Sequence, residues 1–261
     1  MKKRHLGVLI LLIILAFVGG YLWQITHRLG ELNYVVQKIT LGTEKNKYQI
    51  EAEYPSIGSG IPGLAKNKIN TELEKWAKDG VGKSKADFED MLKDPELTRS
   101  DLGLTYVSKV TIKNDFKKLP YINVSFETYT YSGGAHGITV VNTFVYDANT
   151  GERMELGDVF SLDTPIDSSF LKRIGELSLN ALKDMDPKLE TYSFAEEGTK
   201  PLPENFQTWT LEPDGMHLIF SDYQVGPYVV GRPEIVIPYE KFGPYLKIGT
   251  PIDNMVEAKT K

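Results

Sequence analysis

Cysteine is absent from the 261 residues, and its absence excludes several kinds of chemistry. Without thiols the chain can form no disulfide, has no thiolate nucleophile and offers no cysteine-based zinc site. Histidine is also scarce, its four copies being His5, His27, His136 and His217. They lie far apart and lack the His-x-x-x-His or His-Glu-x-x-His spacing that places two ligands on one helix face. The sequence therefore predicts neither a metal site nor a resident cofactor.

Basic charge is scarce after the first few residues. Residues 24–261 carry 27 basic and 35 acidic side chains. A body with this acidic balance gives no reason to expect nucleic acid as a partner, because binding to phosphates depends on positive charge. It would instead attract a basic partner at low salt.

Charge of either sign is absent from Leu6 to Trp23, a run of eighteen residues. As a helix this run would be about 27 Å long, close to the ~30 Å hydrocarbon thickness of a bilayer. The preceding Lys2, Lys3 and Arg4 favour a cytoplasmic N-terminus. We therefore expect a cytoplasmic tail at residues 1–5, a single transmembrane anchor at 6–23 and an extracytoplasmic body. The alternative is a cleaved signal peptide, which would leave the body secreted or periplasmic.

The most regular pattern lies between residues 121 and 160. From Ile122 to Tyr131 apolar or aromatic residues nearly alternate with polar ones, and Ile138 to Asp147 is dense in Val, Thr, Phe and Tyr. Both runs are typical of strands. The intervening Ser132 to Gly137 contains three glycines and His136. Because glycine tolerates backbone conformations closed to other residues, we expect a tight connection that holds one imidazole.

Elsewhere the patterns alternate between strands and helices. Leu64 to Lys78 carries an apolar stripe at helical spacing, and Asp79 to Gly82 is expected to end or break this helix. The glycines and prolines of Pro55 to Gly63 predict a loop. Phe170 to Leu182 predicts a second amphipathic helix. The remaining predicted strands are Tyr34 to Leu41, Lys47 to Tyr54, Leu104 to Lys113, Thr208 to Leu211, Met216 to Phe220 and Glu234 to Pro238.

Together these elements predict an α+β fold in which antiparallel sheets are packed with helices, after the N-terminal transmembrane helix. Two sets of strands and helices separate near residue 147. We therefore expect two subdomains, the first at residues 33–147 and the second at 148–246. Residues 247–261 are expected to form a flexible tail, as chain termini commonly do.

Several stretches resemble a known pair of domains. They are Tyr131 to Gly137, Phe144 to Phe160, Tyr223 to Gly231 and Glu234 to Tyr239. Together they resemble the paired extracytoplasmic domains of unknown function shared by RsiV-type anti-sigma factors and PdaC-type peptidoglycan deacetylases. The likeness spans roughly residues 33–246. It implies a module of the cell envelope, and in the anti-sigma branch it implies direct binding of host lysozyme.

The resemblance also implies that the chain corresponds to a non-catalytic portion. In the resembling deacetylases the chemistry belongs to a separate catalytic domain, and in the anti-sigma factors a sigma-binding region precedes the membrane helix. Neither is expected here. The leading hypothesis is therefore a membrane-anchored, sensor-like binding module for a lysozyme-like protein or a peptidoglycan-related glycan.

The glycine loop and the second tyrosine-rich stretch supply the candidate ligand-binding residues. These are Tyr131, Gly133, Gly134, His136, Tyr223 and Tyr228. Tyrosine provides a large contact area at modest entropy cost. Two alternatives stay open: a peptidoglycan hydrolase using His136 with an unidentified carboxylate, and a structural subunit of an envelope complex. His217 is interpreted as a strand-face histidine, because no second ligand lies at chelating spacing in the sequence.

Overall fold

The computed structural model describes residues 29–42, 47–94, 103–164 and 167–260. The tail and the anchor expected at residues 1–23 lie outside these ranges. Within the ranges, none of the helices combines the length and the apolar character needed to cross a bilayer. The described chain has a mixed α+β fold with antiparallel sheets and several helices.

The first sheet has five strands in the order β1-β2-β3-β4-β5. These strands are β1 Asn33–Leu41, β2 Tyr48–Ser59, β3 Leu104–Lys113, β4 Tyr121–Tyr131 and β5 Ile138–Asp147. Neighbours are antiparallel except β2 and β3, which pair in parallel. Helix α1 (Gly63–Met91) lies between these two strands in the chain. A crossover of this kind is what brings consecutive strands back in the same direction, a feature the sequence reasoning did not predict.

Helix α1 is longer than the sequence predicted. The expected end at Asp79 to Gly82 is wrong, because the helix runs unbroken through these residues. Gly80 lies against the sheet, where an added Cβ would come 2.6 Å from the hydroxyl oxygen of Tyr106. Glycine therefore permits close helix-to-sheet packing here instead of ending the helix. Beyond it, Val81 and Phe88 continue the buried face.

The first core lies between α1 and the sheet. Trp76 packs on Phe126 with ring centroids 4.1 Å apart, and Phe126 meets Phe144 edge-on at 5.8 Å. Further along the helix, Phe88 packs near Tyr48 of β2. These aromatic contacts hold α1 along one face of the sheet. The opposite face of the sheet is left to contact the second part of the chain.

Strand β2 extends into the stretch predicted to be a loop. It continues through Pro55 to Ser59, so the predicted loop is wrong for these residues. The pairing of β2 with β3 stops at Ala52, and Pro55 therefore lies where only β1 is a neighbour, a position that tolerates the missing N–H. Further on, the Asn70 side chain of α1 accepts a hydrogen bond from the Ile57 N–H at 2.8 Å and donates one to its carbonyl oxygen at 2.9 Å.

The second sheet is smaller and antiparallel, with the order β6-β7-β8. Its strands are β6 Trp209–Glu212, β7 Gly215–Ile219 and β8 Glu234–Ile237. The helices of this part are α2 Leu156–Val159, α3 Ser168–Met185 and α4 Ala195–Gly198, with 3-10 helices at Pro203–Phe206, Tyr228–Val230 and Tyr239–Tyr245. Helix α3 packs against β8, and its N-cap Asp167 accepts hydrogen bonds from the N–H groups of Ser169 and Phe170.

The two sheets are joined through β4, β5 and β6. The buried side chain of Asn123 in β4 donates to the Leu211 carbonyl oxygen at 2.8 Å and accepts from the Leu211 N–H at 2.9 Å. Nearby, the Trp209 N–H donates to the Thr143 hydroxyl at 3.0 Å. Tyr121 and Val145 of the first sheet also pack into a second hydrophobic core, which is built mainly from the second sheet and its helices. The first sheet is therefore covered by α1 on one face and partly by the second sheet on the other.

The C-terminal residues are ordered into a helix. The expectation of a flexible tail at 247–261 is wrong for α5 (Pro251–Thr260), whose Ile252 is fully buried. Met255 and Val256 follow at helical spacing and pack on the same core. Burial of this apolar stripe outweighs the tendency of a terminus to fray.

Candidate functional site

The connection between β4 and β5 is a glycine-dependent turn. Gly133 and Gly134 adopt φ values of 99° and 103°, in the region that favours glycine. The Tyr131 hydroxyl donates to the Gly134 carbonyl oxygen at 3.0 Å. Tyr131 and the two glycines, predicted as ligand-binding residues, therefore hold the shape of this turn.

His136 lies exposed at the end of the same turn. Its Nδ1 lies 2.9 Å from the carbonyl oxygen of Gly137. Since a carbonyl oxygen only accepts, Nδ1 carries the proton in this contact, and Nε2 of the neutral ring is left as an acceptor. Gly137 itself is buried, and an added Cβ there would lie 2.4 Å from the ring of Tyr129. The Tyr129 ring therefore lies against the residue that follows His136.

A second turn, at residues 221–231, faces the first. Tyr223 has φ of 65°, an uncommon conformation for a residue other than glycine. The Gln224 side chain fixes this turn, because it accepts from the Ser221 N–H and donates to the carbonyl oxygens of Gly198 and Asn205. Backbone strain of this kind persists only where the surroundings enforce it, and it concentrates at functional sites.

The two turns bring three aromatic rings together, and a fourth ring, that of Tyr129 in β4, lies against Gly137. The His136 ring stacks on Tyr228 with centroids 4.5 Å apart and planes inclined by 23°, and Tyr228 contacts Tyr223 at 5.6 Å. We call Tyr129, His136, Tyr223 and Tyr228 the aromatic surface. Its tyrosines remain 36%, 52% and 38% exposed in that order, and neighbouring Val229 is 90% exposed. Three of the six predicted residues, His136, Tyr223 and Tyr228, thus meet through their rings.

A small ion network lies beside the aromatic surface and connects β4 with the second turn. Arg232 donates from Nη2 to Glu127 of β4 at 2.9 Å and from Nη1 to Asp222 at 3.4 Å. The Asp222 side chain is only 8% exposed, and its Oδ2 has no hydrogen-bond partner among the described residues. A buried carboxylate oxygen without a partner is uncommon and costly. Sequence reasoning missed this network, because Glu127 lies 105 residues before Arg232 in the chain.

A large cleft borders the second turn. It has a volume of about 990 Å³ and lies between β5 and the second sheet, with Trp209, Asn142 and Arg153 in its walls. Ser221 and Gln224, which flank Tyr223 in sequence, also line it. The aromatic surface and the cleft therefore share one turn.

The surroundings of His136 do not form a catalytic constellation. Within the described ranges, its polar contact is the Gly137 carbonyl and its ring contact is Tyr228. A histidine acting as a general base is normally oriented by a carboxylate and faces the group it deprotonates. No such carboxylate bonds to His136 in the described structure, so the geometry offers the hydrolase alternative no second residue.

His217 lies in a different environment from the one expected. It lies on β7, as predicted, and is buried, but the fold gathers three carboxylates around it. Nδ1 lies 2.5 Å from Glu234 Oε1 and 3.7 Å from Glu212 Oε1, and Nε2 lies 3.0 Å from Asp214 Oδ1. Burial lowers the pKa of His217, but the hydrogen bonds to Glu234 and Asp214 outweigh it and leave the pKa raised. The argument from chelating spacing in the sequence failed here because Glu234 lies on another strand, β8.

Two known families match successive parts of the chain. Residues 41–139 match the family described as "Deacetylase PdaC", and residues 157–240 match "Protein of unknown function (DUF3298)". The peptidoglycan-N-acetylmuramic acid deacetylase PdaC of Bacillus subtilis is 26% identical over 176 residues, which is 67% of this chain and 36% of that protein. The chain thus spans about a third of the length of this relative.

Solved structures show the same fold at low sequence identity. A DUF3298 family member from Bacteroides fragilis superposes with a TM-score of 0.66 at 18% identity, covering 90% of this chain and 100% of that one. A DUF3298 family protein from Pseudomonas aeruginosa gives 0.57 at 15% identity, covering 85% and 95%. The order of the matches along the sequence agrees with the order of the two sheets. The two family matches together support a DUF3298/PdaC-type domain protein, in which the PdaC-type match comes first and the DUF3298 match second.

Proposed function

We propose that this protein is a membrane-anchored, extracytoplasmic binding module that recognises a cell-envelope ligand through the aromatic surface. The ligand is a lysozyme-like protein or a peptidoglycan-related glycan. The observation that carries the proposal is the meeting of His136, Tyr223 and Tyr228 from two turns almost ninety residues apart. The name of the Bacillus subtilis relative supports the connection to peptidoglycan.

The aromatic surface has the properties of a recognition surface. Tyrosines are enriched at interfaces because they add contact area with few rotatable bonds. Here they are half-exposed and held by fixed turns, so little further ordering is needed on binding. The adjoining cleft extends the surface on which a ligand can lie.

The anchor is part of the proposal and rests on the sequence alone. The uncharged run Leu6 to Trp23 and the preceding basic cluster support an outward-facing body. Such a location would expose the acidic body to basic proteins acting on the wall, which it would attract electrostatically.

The test compares two tyrosine variants of the full chain in detergent micelles. Lysozyme and purified sacculi are titrated separately against the wild type, Tyr228→Ala and Tyr34→Ala. Tyr34 is the control, because it is as exposed as Tyr228 but lies on β1. We expect saturable binding of one probe, weakened about tenfold or more by Tyr228→Ala, as for an aromatic hot spot, and unaffected by Tyr34→Ala.

Specific outcomes of this titration would refute the proposed binding function. Absence of binding to both probes, or equal affinity of the wild type and Tyr228→Ala, would refute the proposal. Release of soluble fragments from the sacculi that stops in a His136→Ala variant would replace binding by hydrolysis.

A further inference from the structure

We propose that Glu212, His217 and Glu234 form a binding site for a divalent transition-metal ion, separate from the aromatic surface. Their donor atoms, one imidazole nitrogen and two carboxylate oxygens, all lie within 4.8 Å of one another. The three residues come from β6, β7 and β8, which are hydrogen-bonded neighbours. A sheet is a rigid support, and rigid support is what holds ligands at a common point.

The orientation of the imidazole favours a cation on its Nδ1 side. Asp214 Oδ1 lies 3.0 Å from Nε2 and can accept a hydrogen bond from the Nε2–H group, which leaves the Nδ1 lone pair facing Glu212 and Glu234. Ligating histidines usually donate their other ring N–H to a carboxylate in this way. A neutral imidazole has only one N–H, so carboxylates at both nitrogens require either a second proton or a metal ion.

The local charge balance also favours a cation. Glu212, Asp214 and Glu234 contribute three negative charges, and among the described residues the lysine paired with the two glutamates is Lys113, whose Nζ lies 2.8 Å from Glu212 Oε1 and 4.0 Å from Glu234 Oε1. With a neutral histidine the cluster carries a net charge of −2, which a divalent ion would neutralise. Lys113 is half-exposed, so its ammonium can move into solvent when the ion enters.

The geometry needs only side-chain adjustment to accommodate zinc. Two ligands about 2.1 Å from a tetrahedral ion lie about 3.4 Å apart. The Nδ1 to Glu212 distance of 3.7 Å is already close to that value, and the 2.5 Å distance to Glu234 must open. Glu234 is 40% exposed at the first position of β8 and can make this movement. A cavity of about 890 Å³ lined by Lys113, Glu212 and Asp214 gives the ion an entry path.

The experiment is a calorimetric titration of the full chain, first treated with a chelator, with Zn²⁺ alone. We expect one saturable high-affinity site. Glu234→Gln should weaken it by more than the 10- to 100-fold typical of losing an outer hydrogen-bond partner. Asp214→Asn should weaken it less, and Lys113→Gln should strengthen it by removing a competing cation. Glu240→Gln, an exposed glutamate a few residues beyond β8, is the matched control and should change nothing.

A second readout separates this site from zinc bound by the other histidines. Zn²⁺ should raise the midpoint of thermal unfolding of the wild type and of Glu240→Gln, but not of Glu234→Gln, because binding to the folded state alone stabilises it. The proposal is overturned if no such site is found, or if Glu234→Gln binds Zn²⁺ as tightly as the wild type does.

Discussion

The Asn123 side chain offers the sharpest test of how the two sheets are held together. Leu211 lies in β6, an edge strand of the second sheet, so its outward N–H and carbonyl groups have no strand partner. Asn123 satisfies both, at 2.9 and 2.8 Å, in a place where both residues are buried. Replacing Asn123 by Ala leaves two buried backbone groups without partners.

The expected loss is large relative to the total stability. Each buried group left unpaired costs about 1–3 kcal/mol. With partial relaxation we expect Asn123→Ala to lower the free energy of unfolding by about 2–5 kcal/mol, out of the ~5–15 kcal/mol typical of a domain. For ordinary m values this moves the urea midpoint down by about 1–2 M.

Urea unfolding followed by tryptophan fluorescence and circular dichroism measures this loss. Asn114→Ala is the matched control, because Asn114 is exposed between β3 and β4, and its removal should cost less than about 0.5 kcal/mol. A loss below about 1 kcal/mol for Asn123→Ala would refute the claim that this amide joins the two sheets, since even one buried backbone group without a hydrogen bond should cost that much.

Three further predictions follow from single contacts. Gly80→Ala removes a glycine from a helix, which alone would stabilise α1 by ~1 kcal/mol. Because the added Cβ would lie 2.6 Å from the Tyr106 hydroxyl, we expect net destabilisation. A raised urea midpoint would contradict the packing described. Gly137→Ala places a Cβ 2.4 Å from the Tyr129 ring; overpacking of this kind costs about 1–3 kcal/mol, and tyrosine chemical shifts should report the displaced ring. Hydrogen bonds from the Ser169 hydroxyl and from the N–H groups of Phe170 and Asp163 lower the pKa of Asp167 to about 2. Because this folded-state value lies below the ordinary ~3.9, the stabilisation is complete above that pH and is lost as the pH falls towards 2. Urea midpoints at pH 5 and pH 3 should therefore differ less in Asp167→Asn than in the wild type, and an identical difference would exclude this role of Asp167.

The sequence predicted the local elements of the fold better than their limits. Strands β4 and β5 and the helix that became α3 show clear periodicity, and each exists as expected. The predicted ends of helices and strands were wrong where packing overrides local preference. Gly80 predicted a helix end but instead allows close packing against Tyr106. Pro55 predicted a loop but lies in β2 at a point where β3 is no longer paired with it.

The candidate site was only partly accessible from the sequence. Composition marked both the glycine turn around His136 and the tyrosine-rich stretch around Tyr228 as candidates, but no local pattern showed that their rings would stack. The same limit explains why the carboxylates around His217 were missed. Glu212, His217 and Glu234 become neighbours only through strand pairing, and chelating spacing along the chain cannot reveal such a cluster.

A hydrogen-exchange footprint tests the central claim most directly. Amide exchange is measured on the full chain, free and saturated with whichever of lysozyme or sacculi it binds. The account predicts slowed exchange concentrated in residues 129–138 and 221–231, the two turns that carry the aromatic surface. Protection confined to other segments, or no change with either probe, would contradict it.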